Sequence, residues 1–236
     1  MTSTSRRDTI VSMVDRAAFD ADAVEAILFD LDGTLMDTDD QAVERLARRL
    51  QRLHWHNPGN TARRLVMAAE TPGNAFITFL DVLGLDAPLR ALSNRLYEWR
   101  GLRSRENFRI ISGVEAMLSA LAERYKLAVV TTRSRGDAGA FLDQYGLRDL
   151  FETLTTCEST WRLKPHPAPV RHAANQLGVP VERCVMVGDT TVDVKSGRRA
   201  GAQAVAVLCG FGEREELEQA GSHVILEHTS QLASLF

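Results

Sequence analysis

The sequence predicts an α/β protein: a Rossmann-like, doubly wound parallel sheet interrupted by an all-helical insert. Three observations carry this. From Ile110 onward, short apolar runs alternate with segments of helical period, the pattern of a parallel sheet covered on both faces. One further apolar run, Ala26 to Phe29, is short enough for a buried strand and stands well upstream of the others. Between the two regions, from 38 to 105, apolar residues recur only at every third or fourth position. That stretch is far longer than an ordinary connection between neighbouring elements.

The elements follow in order. Residues 1–24 open polar and continue as one amphipathic helix with Ile10, Val14 and Ala17 on a shared face. The first strand runs from about Ala26 to Asp30. The insert then shows three stripes: Leu46, Leu50 and Leu53; Phe76, Phe79, Leu80 and Leu83, closed by Gly84; and Leu89, Leu92, Leu96 and Trp99. It reads as a second, smaller domain. The organisation expected is therefore a core built from 1–37 and 106–236, with 1–24 as a helical extension, and a helical domain over 38–105. Ser112 and Glu115 have the spacing of a capping box that starts the next helix. Strands are expected at Leu127–Thr131, Phe151–Thr155, Arg183–Val187 and Ala204–Leu208, with a short one at Val224–Leu226. The helices between them span Ala138–Tyr145, Pro167–Leu177, Val192–Ala200 and Glu213–Ala220, closed in turn by Gly146, Gly178, Gly201 and Gly221.

Composition narrows the function classes. Hydrophobic residues make up 44% and charged residues 25%, so 236 residues can bury a sizeable core. With 28 basic and 31 acidic residues the net charge is -3, which offers no field to attract nucleic acid or an anionic membrane. Cys157, Cys184 and Cys209 are odd in number and lack metal-ligand spacing. They read as reduced thiols of an intracellular protein. No run is long enough to span a bilayer. Asp15 and Arg16 interrupt the only apolar stretch near the N-terminus that could pass for a signal peptide. A cytoplasmic protein is expected.

The chemistry collects at strand ends. The segment from Ile27 to Met36, ILFDLDGTLM, delivers Asp30 and Asp32 to the tip of the first strand, followed by Gly33 and Thr34. Acids are rarely buried unless paired or bound to metal, and strand tips are where open parallel sheets bind ligands. The next strand, in LAVVTTRS, ends in Thr131 and Thr132. Lys164 follows the third, in RLKPHPAP, where two prolines stiffen its loop. The fourth, in VMVGDTTVD, supplies Asp189 and, one helical turn on, Asp193. A magnesium-type cation takes oxygen ligands, of which Asp30 and Asp189 supply two from different strands. A phosphate takes hydroxyls, N–H groups and a fixed cation, which Thr131, the turn after it and Lys164 supply. Each element also has a plainer explanation: turn chemistry for the threonine pair, a solvated lysine, and a helix cap at Gly188–Asp189. Their common order, each after an apolar run, favours one site.

These motifs resemble those of the haloacid dehalogenase superfamily, in its phosphatase branch, with phosphoglycolate phosphatase-like and β-phosphoglucomutase-like members the nearest in texture. DLDGTLMD matches that family's first motif and Thr131 its second; Lys164 matches the third, and GDTTVD with the later SGRRAG the fourth. The resemblance covers about Val24 to the C-terminus. It implies that Asp30 is a nucleophile forming an aspartyl-phosphate, and that Asp32 is the acid, then the base. It also implies a Mg²⁺ ion held by the Asp30 carboxylate, the Asp32 carbonyl and Asp189, with Asp193 in or beside that shell. Thr131 and Lys164 would hold the phosphoryl group, with N–H groups near Gly33 and Thr132. Family members often carry asparagine where Thr132 stands; a backbone contact survives that change. Arg133 either reaches substrate or is a solvated surface residue.

Asp32 separates phosphate esters from halides, since an alkoxide leaving group needs a proton. The expected activity is hydrolysis of a small soluble phosphate monoester, with a phosphosugar mutase as the alternative and a non-catalytic binding protein as a third class. The insert leaves after Met36 and returns before Ile110, so it can close over the first strand's tip as a cap. Phosphoglycolate, sugar phosphates, nucleotides and pyrophosphate all stay open as substrates, as does oligomeric state. Arg63, Arg64, His54 and His56 either reach the site from the cap or pack within it.

Overall fold

The computed structural model describes residues 11–13, 19–37 and 108–236. The expected helical domain over 38–105, with His54, His56, Arg63 and Arg64, lies outside the described residues. The rest belongs to one compact unit.

Seven strands form one sheet: β1 (Val11–Met13), β2 (Ala26–Phe29), β3 (Lys126–Val130), β4 (Thr153–Thr155), β5 (Cys184–Gly188), β6 (Gln203–Val207) and β7 (Val224–Leu226). Their spatial order is β1-β7-β6-β5-β2-β3-β4. All neighbours are parallel except the pair of β1 with β7. The helices are α1 (Val114–Ala122), α2 (Arg135–Gln144), α3 (Ala168–Leu177), α4 (Thr191–Ala200) and α5 (Arg214–Gln219).

β2 explains why the sheet is wound on both sides. All four of its residues are buried, and successive side chains point to opposite faces. Ile27 and Phe29 join the larger core, with Leu118 of α1 and Phe141 and Leu142 of α2. Ala26 and Leu28 join a second core, with Val170, Ala173 and Leu177 of α3. Burying a Leu, Ile or Phe contributes about 1.5–3 kcal/mol, so a short apolar run that feeds two cores is held firmly in the middle. From β2 the chain winds one way through β3 and β4, then crosses to β5 and winds the other way. The crevice beyond the tips of β2 and β5 is thus the topological switch point, where such sheets bind ligands.

Three expectations need correction. Residues 11–13, expected within an amphipathic helix, form strand β1 instead, in register Val11 with Leu226 and Met13 with Val224. An open β7 edge would leave a row of N–H and C=O groups unpaired, and β1 supplies their partners; three apolar positions were too weak a pattern to outweigh that. Ser112 does not cap α1. Gly113 is the N-cap, at φ 81°, without a side-chain cap bond, and a side chain there would press on Ser230. Helix α2 begins earlier than Ala138, because Ser134 Oγ accepts the Asp137 N–H at 3.1 Å.

Candidate active site

The sheet register brings the predicted residues together. Phe29 of β2 is level with Val129 of β3 and Val187 of β5, and the Asp30 N–H extends the ladder to the Val187 carbonyl at 2.9 Å. Asp30, Thr131 and Asp189 therefore lie within one residue of the same level at three adjacent tips. Lys164 and Asp193 reach the same place. Lys164 Nζ donates to Asp30 Oδ1 at 2.5 Å and to Asp193 Oδ1 at 2.6 Å. All five residues are buried.

Asp193 is held from two directions. It is the third residue of α4, whose N-cap is Thr190, and the two form a capping box. Thr190 Oγ1 donates to Asp193 Oδ2 at 2.5 Å, while Oδ1 takes the lysine. The cap expected at Gly188–Asp189 is thus Thr190, and Asp193 serves the cap and the site at once. Asp189 has a different cradle. The Phe211 N–H donates to its Oδ2 at 2.8 Å, and a Cβ at Gly33 or Gly210 would overlap its carboxylate. Gly33 also sits at φ 70°, which side-chain-bearing residues rarely adopt.

Charge dominates this cluster. Three buried carboxylates against one ammonium leave two negative charges when all are ionised. Burial pushes the Asp30 carboxyl up from 3.8 to about 7; Lys164 opposes the rise and the charges of Asp193 and Asp32 add to it. Burial works against the Lys164 ammonium, but Asp193 and Asp30 outweigh it and hold its pKa above the ordinary lysine range. Asp30, Asp189 and Asp193 each offer an oxygen within 4.8 Å of the other two. An all-oxygen donor set with a surplus of two negative charges fits a hard divalent cation. Lys164 at 2.6 Å and Thr190 at 2.5 Å hold the two Asp193 oxygens closely, whereas Thr34 Oγ1 stands 3.4 Å from Asp189 Oδ1, so Asp30 and Asp189 offer the oxygens that an ion would reach more readily and Asp193 stands beside them.

Asp32 and Arg133 form the outer part. Arg133 Nε lies 2.7 Å from Asp32 Oδ2 and its Nη2 2.7 Å from Oδ1, a fork-on-carboxylate pair. The guanidinium carbon stands 5.9 Å from the centre of the Phe108 ring, and the Arg133 N–H donates to Thr131 Oγ1 at 3.1 Å. Arg133 is therefore not a solvated side chain. Thr132 is exposed. The Gly33 N–H donates to the Met36 carbonyl at 2.8 Å. Gly210, Phe211 and Thr190 escaped the sequence reading. The CGFG run was a visible signal for the first two and TTVD for the third.

Cys209 stands at the edge of this site, its Sγ 3.5 Å from the Gly33 carbonyl oxygen, whereas Cys184 belongs to the second core. None of the three cysteines is in a disulfide, and burial pushes the Cys184 thiol up to about 12. No helix among the described residues is long and apolar enough to cross a membrane.

Comparison with known proteins agrees with the geometry. The model of the haloacid dehalogenase-like hydrolase family matches residues 27–207. A phosphoglycolate phosphatase of Colwellia psychrerythraea is 32% identical over 84% of this chain and 90% of its own. The pyrophosphatase PpaX of Bacillus velezensis is 30% identical over 89% and 94%. Among solved structures, one from Haemophilus somnus, described as a predicted phosphoglycolate phosphatase, superposes with a TM-score of 0.66 at 21% identity, covering 90% of this chain and 98% of its own.

Proposed function

Because the chain belongs to the haloacid dehalogenase-like hydrolase family, we propose that it is a Mg²⁺-dependent phosphatase that hydrolyses a small soluble phosphate monoester through an aspartyl-phosphate on Asp30. The observation that carries this is the buried cluster of Asp30, Lys164, Asp193 and Asp189 at the tips of β2 and β5. An isolated buried carboxylate is costly, and four charged groups at a switch point have no packing purpose. The phosphatase and pyrophosphatase names of the relatives support the same reading.

Each side chain then has a task. Asp30 attacks phosphorus, and Lys164, on Oδ1, fixes the carboxylate and screens it from the incoming dianion. Thr131 Oγ1 accepts the Arg133 N–H, so its single proton is left to donate to a phosphoryl oxygen. Asp32 gives a proton to the departing oxygen and then takes one from water, which attacks the phosphoaspartate and regenerates Asp30. Asp30 and Asp189 would hold the Mg²⁺ ion, which would supply the charge neutralisation needed for an anionic carboxylate to meet an anionic phosphate. The 38–105 segment, helical by its pattern, would serve as the cap that excludes bulk water; a closed chamber suits a metabolite better than a folded protein.

The test is a panel of phosphate monoesters and pyrophosphate, with free phosphate measured, beside hexose 1-phosphates with a bisphosphate primer, with isomerised sugar measured. At least one small substrate is expected to reach a kcat/KM of about 10⁴ M⁻¹s⁻¹ or more, and Asp30→Asn to abolish it. Isomerisation faster than phosphate release would make the protein a mutase. Release unaffected by Asp30→Asn would remove the nucleophile from this account.

A further inference from the structure

The site has a burial gradient with a chemical meaning. The Asp30 and Lys164 side chains are 9% and 4% exposed, whereas those of Asp32 and Arg133 are 29% and 23% exposed. A substrate whose phosphorus meets Asp30 must place its phosphoryl group at the closed end. Its leaving half then extends towards the open end, past Asp32. Asp32, as the acid, must touch the ester oxygen, and Arg133 is forked onto Asp32. The guanidinium therefore lies within one carboxylate's width of the bond that breaks, on the leaving-group side.

A guanidinium in that place is held deliberately. It is backed by the Phe108 ring, and its backbone is tied to Thr131 Oγ1. Arg133 and Asp32 come from the tips of neighbouring strands, 101 residues apart in sequence. A planar fork next to the scissile oxygen matches a planar or tetrahedral oxyanion. It gives nothing to an alkyl or sugar hydroxyl group beyond an ordinary hydrogen bond.

We propose that Arg133 is a specificity residue for the leaving half of the substrate, selecting esters or anhydrides with a second oxyanion beside the departing oxygen, a carboxylate or another phosphate. The proposal rests on the phosphatase reading above and deepens it. At rest the guanidinium occupies the Asp32 carboxylate. The substrate's second anion competes for the same fork, and each NH···O bond that it takes is one that Asp32 gives up. Asp32 is thereby released towards the ester oxygen when the right leaving group has arrived, and takes from solvent the proton that it then gives to the departing oxygen. A neutral leaving group has nothing with which to displace Asp32.

The test uses the full chain with Mg²⁺ and a matched pair of substrates, 2-phosphoglycolate and 2-hydroxyethyl phosphate, which differ only in that the first carries a carboxylate. Inorganic pyrophosphate is a third arm and separates carboxylate from phosphate preference. Arg133→Met is expected to lower kcat/KM on 2-phosphoglycolate, on pyrophosphate, or on both by about 10- to 100-fold, the loss of a charge-assisted contact, mainly through KM. On 2-hydroxyethyl phosphate, where Arg133 otherwise keeps Asp32 engaged, it should not lower kcat/KM, so the preference for the charged substrate over the neutral one falls by at least about tenfold. Arg133→Lys, which keeps the charge without the fork, should recover part of the loss. Equal losses on charged and neutral esters would show that Arg133 merely positions Asp32, and would overturn the proposal while leaving the phosphatase reading intact. The binding of 2-phosphoglycolate and of pyrophosphate to Asp30→Asn, with and without Arg133→Met, is read by calorimetry. At least one of them should bind at least about tenfold more weakly when Arg133 is lost; unchanged affinity for both would also overturn the proposal. Wild-type protein that releases no phosphate from any substrate would instead sink the phosphatase reading, and the calorimetric arm would still decide on Arg133.

Discussion

Replacing Lys164 by methionine keeps the volume of the side chain and removes its charge. In the folded protein that charge lies 2.5 Å from Asp30 and 2.6 Å from Asp193, with all three side chains at least nine-tenths buried. Breaking a buried ion pair by deleting one partner costs about 3–5 kcal/mol, because the other charge stays buried and uncompensated. At about 2–4 °C per kcal/mol for a chain of this size, the metal-free variant should melt about 6–20 °C below the parent. The loss should depend on pH. The folded-state pKa of Asp30, about 7, is above its unfolded value of 3.8, so the folded state holds that proton more tightly. The resulting stabilisation is complete below the unfolded value and is lost as pH rises through about 7. Metal-free parent protein should therefore lose melting temperature between about pH 5 and pH 8, and Lys164→Met should lose more, since its carboxylates have no counter-ion. Mg²⁺ should raise the melting temperature of both more at the higher pH, where Asp30 is ionised and ready to bind it. The assay is thermal unfolding of both proteins in chelator and in Mg²⁺ at each pH. Melting of Lys164→Met within about 2 °C of the parent in chelator at both pH values would be less than 1 kcal/mol, and would refute the view that Lys164 neutralises a buried acid cluster.

Three further outcomes are expected. Chelation should abolish phosphate release and Mg²⁺ restore it, with Ca²⁺ a poor substitute because its larger, looser shell misplaces Asp30; full turnover in chelator would remove the ion from the account. Asp32→Asn should cost about 10²–10⁴-fold on esters with poor leaving groups and much less on a nitrophenyl ester, measured as kcat on both; equal losses would count against Asp32 as the acid. Gly210→Ala, whose new Cβ would overlap the Asp189 carboxylate, should weaken Mg²⁺ affinity by at least about tenfold, the usual scale for disturbing a ligand's support; an unchanged Mg²⁺ titration would place Asp189 outside the ion's shell.

Much of the core was legible because its signals are local. A buried strand needs only a run such as Ala26 to Phe29 between polar neighbours, and an α/β alternation is written in the sequence itself. The acids at Asp30, Asp32, Asp189 and Asp193, the threonine pair and Lys164 stood out because each follows such a run. Local patterns failed where the deciding interaction was not local. Residues 11–13 became a strand because β7 had an open edge, and α1 starts at Gly113 because its backbone turns left-handed against Ser230.

The sequence alone thus determined the strands from Ala26 onward, the family motifs and the set of chemical groups, since these depend on residues close together along the chain. Only the tertiary structure decided how those groups are paired. Lys164 meets Asp30 across 134 residues and Asp193 across 29, and Arg133 meets Asp32 across 101. Lys164 thereby becomes the counter-ion of an acid cluster as well as the proposed phosphate ligand, and Arg133 becomes part of the site. Both follow from strand order: β2 lies between β3 and β5, so the tips of three strands distant in sequence share one crevice. Strand order is set by how whole faces pack, and no single segment of the chain carries it.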